Sequence, residues 1–248
     1  MQDERQDIIE GKNAVTEALI AKTPLDKIYI ASGEHDRAFG FIAGAAKENG
    51  VSVVYCDKRK LDAMSATKAH QGVVAVCAIR EYAELSDLLD IAKQRGEAPF
   101  IIMCDEITDP QNLGAIIRSA ECFGAHGVVI TKRRSAGMTA IIGKTSAGAA
   151  AHIAVARVSN LVAAINELKK NGVWIYGTAG DGQSVLRETD LKGPICIVIG
   201  SEGKGVGRLI SENCDFMVNI PMVGKVSSLN AAAAASIFMY EAMCQRKK

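Results

Sequence analysis

Residues 220–235 read Ile220-Pro221-Met222-Val223-Gly224-Lys225-Val226-Ser227-Ser228-Leu229-Asn230, then five alanines, Ala231 to Ala235. The apolar run Phe216 to Ile220 stops at Pro221, which cannot donate to a sheet ladder and so suits a strand's end. Gly224 permits a turn. Ser227, Ser228 and Asn230 offer side-chain oxygens to the orphan N–H groups of a following helix, and helix formers then run to Gln245. The pattern predicts strand, tight loop and helix, with polar side chains gathered at the helix mouth. The alanines let another backbone come close, so the helix is expected to pack tightly.

Working back from there, short apolar strands alternate with helical segments. Strands are expected at Phe100 to Cys104, Gly127 to Thr131, Val173 to Gly177, Ile195 to Gly200 and Phe216 to Ile220. Helices are expected at Leu113 to Phe123, Leu161 to Lys170 and Ser228 to Gln245. This alternation is the signature of a doubly wound α/β domain with a parallel sheet. A smaller α/β unit precedes it: a turn into a short helix over 7–21, strands at Leu25 to Ala31, Val51 to Tyr55 and Val73 to Ile79, and helices near Phe39 to Asn49 and Leu61 to Ala66. Between the two lies a charged stretch with one amphipathic helix, Ala83 to Gln94. The expected domains are therefore 1–79 and 99–248, with 80–98 as a linker.

Composition narrows the chemistry. The chain has 248 residues and a net charge of +1, so affinity for nucleic acid has to rest on local patches rather than global attraction. Seven cysteines without C-x-x-C spacing suggest free thiols in a reducing, cytoplasmic setting. Four scattered histidines make no metal motif. No apolar run is long enough for a membrane span, and no secretory signal is visible at the start. Neither metal nor membrane is expected.

Two further stretches lie at strand ends, where open α/β sheets bind ligands. Asp109-Pro110-Gln111-Asn112-Leu113-Gly114-Ala115-Ile116-Ile117-Arg118-Ser119-Ala120 follows the strand ending near Asp105. It sets Asn112 at a helix mouth and Arg118 on that helix. Gly200-Ser201-Glu202-Gly203-Lys204-Gly205-Val206-Gly207 follows an apolar strand, and its glycines let backbone groups approach a ligand. It is neither a P-loop nor a dinucleotide fingerprint.

Together the three stretches resemble the motifs of the SpoU family of ribose 2′-O-methyltransferases, the TrmH branch of the SPOUT class: Asp109-Pro110-x-Asn112-x-Gly114-x-x-x-Arg118, Gly200-Ser201-Glu202-Gly203-x-Gly205, and Ile220-Pro221-Met222 through Ser228-Leu229-Asn230. The order and spacing are also the family's. Ile9 to Val15 is similar to the opening of the family's L30-like substrate-binding domain. Ser146 to Ala150 and His152 to Val158 are similar to the branch that methylates a guanosine of 23S rRNA. The alanine run departs from relatives, which often carry Val and Ser there.

The resemblance implies a C-terminal α/β domain tied in a deep trefoil knot, a homodimer with sites at its interface, and S-adenosylmethionine as cofactor. The cofactor's expected contacts are Thr178, Ala179, Gly180, Ile199, Gly200, Glu202, Gly203, Ile220, Met222, Ser227 and Leu229. The implied reaction is attack of a ribose 2′-OH on the sulfonium methyl, with Asn112, Arg118, Glu202, Ser228 and Asn230 as catalytic residues. Arg118 is either the base or, since Arg normally stays protonated, the holder of a phosphate and of the developing alkoxide. Lys12, Asn13 and Arg118 are the expected RNA contacts, with Lys58-Arg59-Lys60 a further candidate cluster. The implied substrate is 23S rRNA, the alternatives being a tRNA ribose or a non-catalytic role as an RNA-binding assembly factor.

Overall fold

The computed structural model describes residues 8–33, 37–65, 67–79, 81–226 and 228–247. The chain divides into two compact units: residues up to Glu81 together with Gly137–Ile141, and Tyr82–Ala136 together with residues from Ile142 onward.

The first unit contains β1 (Ile8–Glu10), α1 (Lys12–Ile20), β2 (Leu25–Ala31), α2 (Arg37–Glu48), β3 (Ser52–Cys56), α3 (Lys58–Met64) and β4 (Val73–Cys77). Its sheet order is β1-β4-β2-β3. β4 runs antiparallel to both β1 and β2, while β2 and β3 are parallel. Val15, Leu19, Ile28, Ile30 and Ile42 form its core. The strand β1 is too short for a period to show in the sequence. Gly11, at φ +93°, turns the chain directly from β1 into α1.

The second unit is a seven-stranded sheet in the order β7-β6-β5-β10-β8-β11-β9, parallel throughout. Its elements are α4 (Leu85–Gln94), β5 (Phe100–Cys104), α5 (Pro110–Cys122), β6 (Gly127–Thr131), α6 (Ala140–Thr145, begun in the first unit), β7 (Ala154–Val158), α7 (Leu161–Lys170), β8 (Trp174–Thr178), β9 (Ser184–Val185), β10 (Ile195–Ile199), α8 (Arg208–Ser211), β11 (Phe216–Asn219) and α9 (Ala231–Arg246). β5 and β10 are buried at every position, as expected of strands covered on both faces. Helix α4 belongs to this unit's core: Leu85 and Leu88 pack in one cluster with Ile101, Met103 and Val129. The stretch read as a linker thus carries a core helix, because its apolar positions recur on one face. Gly127 allows that packing, since a Cβ there would stand 2.4 Å from Leu88 Cγ.

Two features set up the site. From β5 the chain moves to β6 on one side, and from β10 it moves to β11 on the other. The loops after these two neighbouring strands therefore diverge, opening a crevice at their carboxyl ends. Helices α5 and α9 then run side by side in the same direction. Ser119 Oγ meets Ser236 Oγ at 2.8 Å, and Phe123 packs edge-on against Tyr240 with centroids 5.9 Å apart. The alanines of α9 are divided between the interior and the surface of the protomer. Ala231, Ala232 and Ala235 are buried, while Ala233, Ile237 and Tyr240 face outward.

Far from the crevice, one side chain ties the amino ends of the two central strands. Arg246 donates to the carbonyls of Gly193 at 2.6 Å and Ala98, and its guanidinium lies 5.3 Å from the Phe100 ring centroid.

Candidate active site

Each motif lies in a loop or helix start that its own residues shape. Asp109 caps α5, its carboxylate accepting from the N–H groups of Gln111 and Asn112, and Pro110 takes the first helical position. The helix therefore begins three residues earlier than the apolar periodicity alone suggests. Gly114 is bare because Thr145 lies against it: a Cβ would stand 1.8 Å from Thr145 Oγ1, which donates to the Pro110 carbonyl at 3.2 Å. On α9 the cap is Asn230, whose Oδ1 accepts from Ala232 N at 2.9 Å and Ala233 N at 3.2 Å. The helix starts at Ala231 rather than at Ser228 for that reason.

The loop after β10 closes on itself. Ser201 and Gly205 exchange both backbone hydrogen bonds, at 3.1 and 2.9 Å, and Gly203 and Gly205 take positive φ. A Cβ on Gly200 would stand 2.0 Å from the Gly205 carbonyl carbon and 2.2 Å from Val206 N. Gly200 is thus demanded by the loop's own closure. At the far end, Asp105 accepts from Gly207 N at 2.8 Å and pins the loop to the end of β5. Burial raises the Asp105 carboxyl above its ordinary value, with Glu106 adding to the rise and the Gly207 bond opposing it.

The three motifs meet in one hydrogen-bonded junction. Asn112 Nδ2 donates to Glu202 Oε1 at 3.2 Å, Asn230 Nδ2 donates to Asn112 Oδ1 at 2.8 Å, and Asn230 Nδ2 also reaches Glu202 Oε1. A single carboxylate oxygen thereby holds two amides from two helix mouths, while Asn230 still caps its own helix. The arrangement fixes three loops that are 90 and 118 residues apart in sequence.

Next to this junction lies a cavity of about 490 Å³. Thr178, Ala179, Gly180, Ile199, Gly200, Glu202, Gly203, Ile220, Met222, Ser228 and Leu229 line it, as do Asp181, Met217, Ala231, Ala234 and Phe238. Ser227 lies outside the described residues. Asp181 continues the polar loop after β8, and proximity to Thr178 could have flagged it. Met217 and Phe238 sit inside a strand and a helix whose sequences carry no ligand signal. The lining combines apolar side chains, among them Ile199, Met217 and Phe238, with glycine-rich loop segments and the acidic residues Asp181 and Glu202. The volume suits a nucleoside with a polar tail, and the carboxylates suit one that carries positive charge.

Arg118 is not brought into the junction. It stands exposed on α5, six residues past Asn112, which is about 240° around the helix. No hydrogen bond or ion pair ties its side chain to another described residue. Lys12 and Asn13 open α1 in the other unit, with Lys12 Nζ 4.8 Å from the Phe39 ring centroid. Lys58 and Arg59 are exposed on α3, and Lys60 Nζ lies 4.7 Å from the Tyr29 ring centroid. Among the described residues, no group of three His, Cys, Asp or Glu side chains could hold a metal ion, and no helix is long and apolar enough to cross a membrane.

The fold and crevice define an α/β enzyme with a cofactor-sized site at a topological switch point. Residues 99–240 match the SpoU rRNA Methylase family, and residues 8–83 match the family described as RNA 2′-O ribose methyltransferase substrate binding. The chain is 45% identical over 243 residues to a Bacillus subtilis (strain 168) protein named "Putative TrmH family tRNA/rRNA methyltransferase YacO", a match spanning 98% of this chain and 97% of the relative. Among solved structures it is similar to the SpoU methyltransferase AviRb from Streptomyces viridochromogenes in complex with the cofactor AdoMet, with a TM-score of 0.61 and 26% identity over 97% of this chain and 90% of that one. The "A. aeolicus TrmH/SpoU tRNA modifying enzyme" is 28% identical with a TM-score of 0.56, over 66% of this chain and 82% of that one. The chain belongs to the SpoU rRNA methylase family.

Proposed function

We propose that this protein methylates a ribose 2′-OH of RNA, using S-adenosylmethionine, and that its substrate is a guanosine of 23S rRNA. The observation that carries the reading is the Asn112–Glu202–Asn230 junction beside a cavity whose lining includes the acidic residues Asp181 and Glu202. The residues present fit the cofactor. Thr178 to Gly180, Ile199 to Gly203 and the loop from Ile220 to Leu229 would hold its adenosine and methionine parts, mostly through backbone groups. Bound there, it supplies a methyl group on a positively charged sulfur, an electrophile that needs no further activation.

What remains for the protein is positioning, which supplies about 7–11 kcal/mol when reacting atoms are well oriented. Glu202 and the two asparagines form a fixed polar edge against which a ribose can be aligned. Arg118, a permanent cation, holds an RNA phosphate and stabilises charge developing on the 2′-oxygen. Its outward direction is consistent with action across a dimer interface. The exposed apolar residues of α9, Ile237 at 40% and Tyr240 at 54% exposure, support such a pairing. The trefoil knot belongs to the same reading, as does an RNA-delivering role for the first unit through Lys12, Asn13 and the Lys58 cluster. tRNA is the second reading, because the relatives' names carry both RNAs.

The test is transfer of radiolabelled methyl from S-adenosylmethionine to bulk rRNA and bulk tRNA, followed by alkaline digestion, which a 2′-O-methyl linkage resists. Label in a resistant rRNA dinucleotide is expected. Label only in tRNA would move the substrate, and label only on bases would overturn the ribose assignment. Arg118→Ala is expected to retain cofactor affinity in calorimetry and to lose nearly all turnover.

A further inference from the structure

The loop that follows β6, Thr131-Lys132-Arg133-Arg134-Ser135-Ala136, is not used by the junction or the cavity, yet it is the most cationic turn on their edge of the sheet. β6 lies beside β5 in the parallel sheet, about one strand spacing (~5 Å) from it and about two (~10 Å) from β10, so its carboxyl-end loop leaves the same edge of the sheet as the loop that carries Glu202.

The loop is built onto the first motif. Ala136 N donates to the Ile107 carbonyl at 2.9 Å, and Arg134 Nη1 donates to Glu106 Oε1 at 2.8 Å. Arg134 and Glu106 both hold left-handed backbone, at φ +54° and +55°, a conformation that costs energy for a residue with a side chain. Thr131 Oγ1 donates to the Arg133 carbonyl and closes the turn. The result is a loop tied to Glu106 and Ile107, just ahead of the Asp109 cap and Asn112.

On that loop the two arginines differ. Arg134 is neutralised by Glu106. Arg133 is exposed, and no hydrogen bond or ion pair ties its side chain to another described residue. An exposed guanidinium beside a substrate site, with its backbone fixed and its charge uncompensated, is what recognition of a phosphodiester requires.

We infer that the Lys132–Arg134 loop grips the backbone of the substrate RNA, with Arg133 contacting a phosphate near the target nucleotide and the Arg134–Glu106 pair positioning it. This rests on the RNA-methylating function proposed above and adds a binding surface in the second unit.

The test measures binding separately from methylation. Fluorescence anisotropy with a labelled RNA hairpin gives Kd across a salt series for the wild type, Arg133→Ala, Arg133→Gln and, as a charge control at the opposite end of the sheet, Lys192→Ala. Loss of one phosphate contact is expected to weaken binding by roughly fivefold near 0.1 M salt and to flatten the slope of log K against log salt by about 0.7–0.9. In methylation assays KM for RNA should rise with kcat nearly unchanged, and S-adenosylmethionine affinity should not move. Unchanged RNA affinity and salt slope in both Arg133 variants, with normal melting temperatures, would overturn the inference. An equal loss in Lys192→Ala would overturn it too, since the effect would then be diffuse charge. Wild-type failure to methylate any RNA sinks the proposed function instead, because the anisotropy series stands without it.

Discussion

At the scale of single residues, Gly200 and His126 show how the site and its frame answer to different constraints. A methyl group on Gly200 would meet backbone atoms of Gly205 and Val206 at 2.0–2.3 Å, and backbone cannot step aside as a flexible side chain can. Gly200→Ala is therefore expected to lower stability by about 3 kcal/mol and to abolish cofactor binding together with it. Differential scanning fluorimetry with and without cofactor checks this: a normal melt with lost binding would place the glycine's role in the cavity instead of the loop. His126 answers to pH. Its Nδ1 accepts from Phe100 N at 2.9 Å and its Nε2 faces Glu97 at 2.9 Å, so the neutral ring is the one the structure holds. Burial pushes its pKa down, against the opposing pull of Glu97. A depressed histidine pKa means the unfolded chain binds the proton more readily. The ring's contribution is complete above the unfolded value of about 6.5 and is lost as pH falls through the folded one. Urea midpoints for the wild type should fall from about pH 7 to pH 5, and His126→Gln should flatten that slope. An identical slope in the variant would assign the effect to other groups.

At the scale of elements, α9 carries the sharpest prediction. Ala235 is fully buried against the protomer's own core, whereas Tyr240 is 54% exposed on the opposite side. Ala235→Glu is expected to unfold the protomer, because an unpaired charge in an apolar setting costs several kcal/mol. Tyr240→Glu should leave circular dichroism intact and, if the exposed face pairs with a second copy, convert a dimer to a monomer in light scattering. A folded dimer in both variants would remove α9 from the interface. The same helix shows what the sequence revealed and what it hid. Five alanines announced close packing, but a homogeneous run has no periodicity, so nothing told the buried Ala235 from the exposed Ala233. Elements with a strong pattern were legible to the residue: Phe100 to Cys104 and Leu161 to Lys170 stand where their apolar runs put them. β7 was not anticipated as a strand because Arg157 interrupts its apolar run, and β9 is only two residues long. The junction's members were legible as motif residues. Their mutual hydrogen bonds were not, since contacts across 90 or more positions depend on the strand order.

At the scale of the whole molecule, the boundary between units matters for any dissection. A fragment beginning at Pro99 lacks α4 and leaves the pocket of Ile101, Met103 and Val129 open; one beginning at Tyr82 keeps Leu85 and Leu88 in place. The Tyr82 fragment is expected to fold and bind S-adenosylmethionine while methylating RNA poorly. The Pro99 fragment should melt lower or aggregate, as removal of even one such leucine typically costs 2–5 kcal/mol. Equal melting temperatures would contradict the role given to α4. The clamp at Arg246 bears on the order of events during synthesis. The central strands β5 and β10 are tied at their starts by a side chain made well over a hundred residues after Ala98, and the junction waits for Asn230. A ribosome adding about 5–20 residues per second therefore carries Asn112 for on the order of ten seconds before its partners exist. Throughout that interval neither the bonds of Asn230 to Asn112 and Glu202 nor the Arg246 clamp can form, so a chain cut short before the last helix is expected to lack both ties.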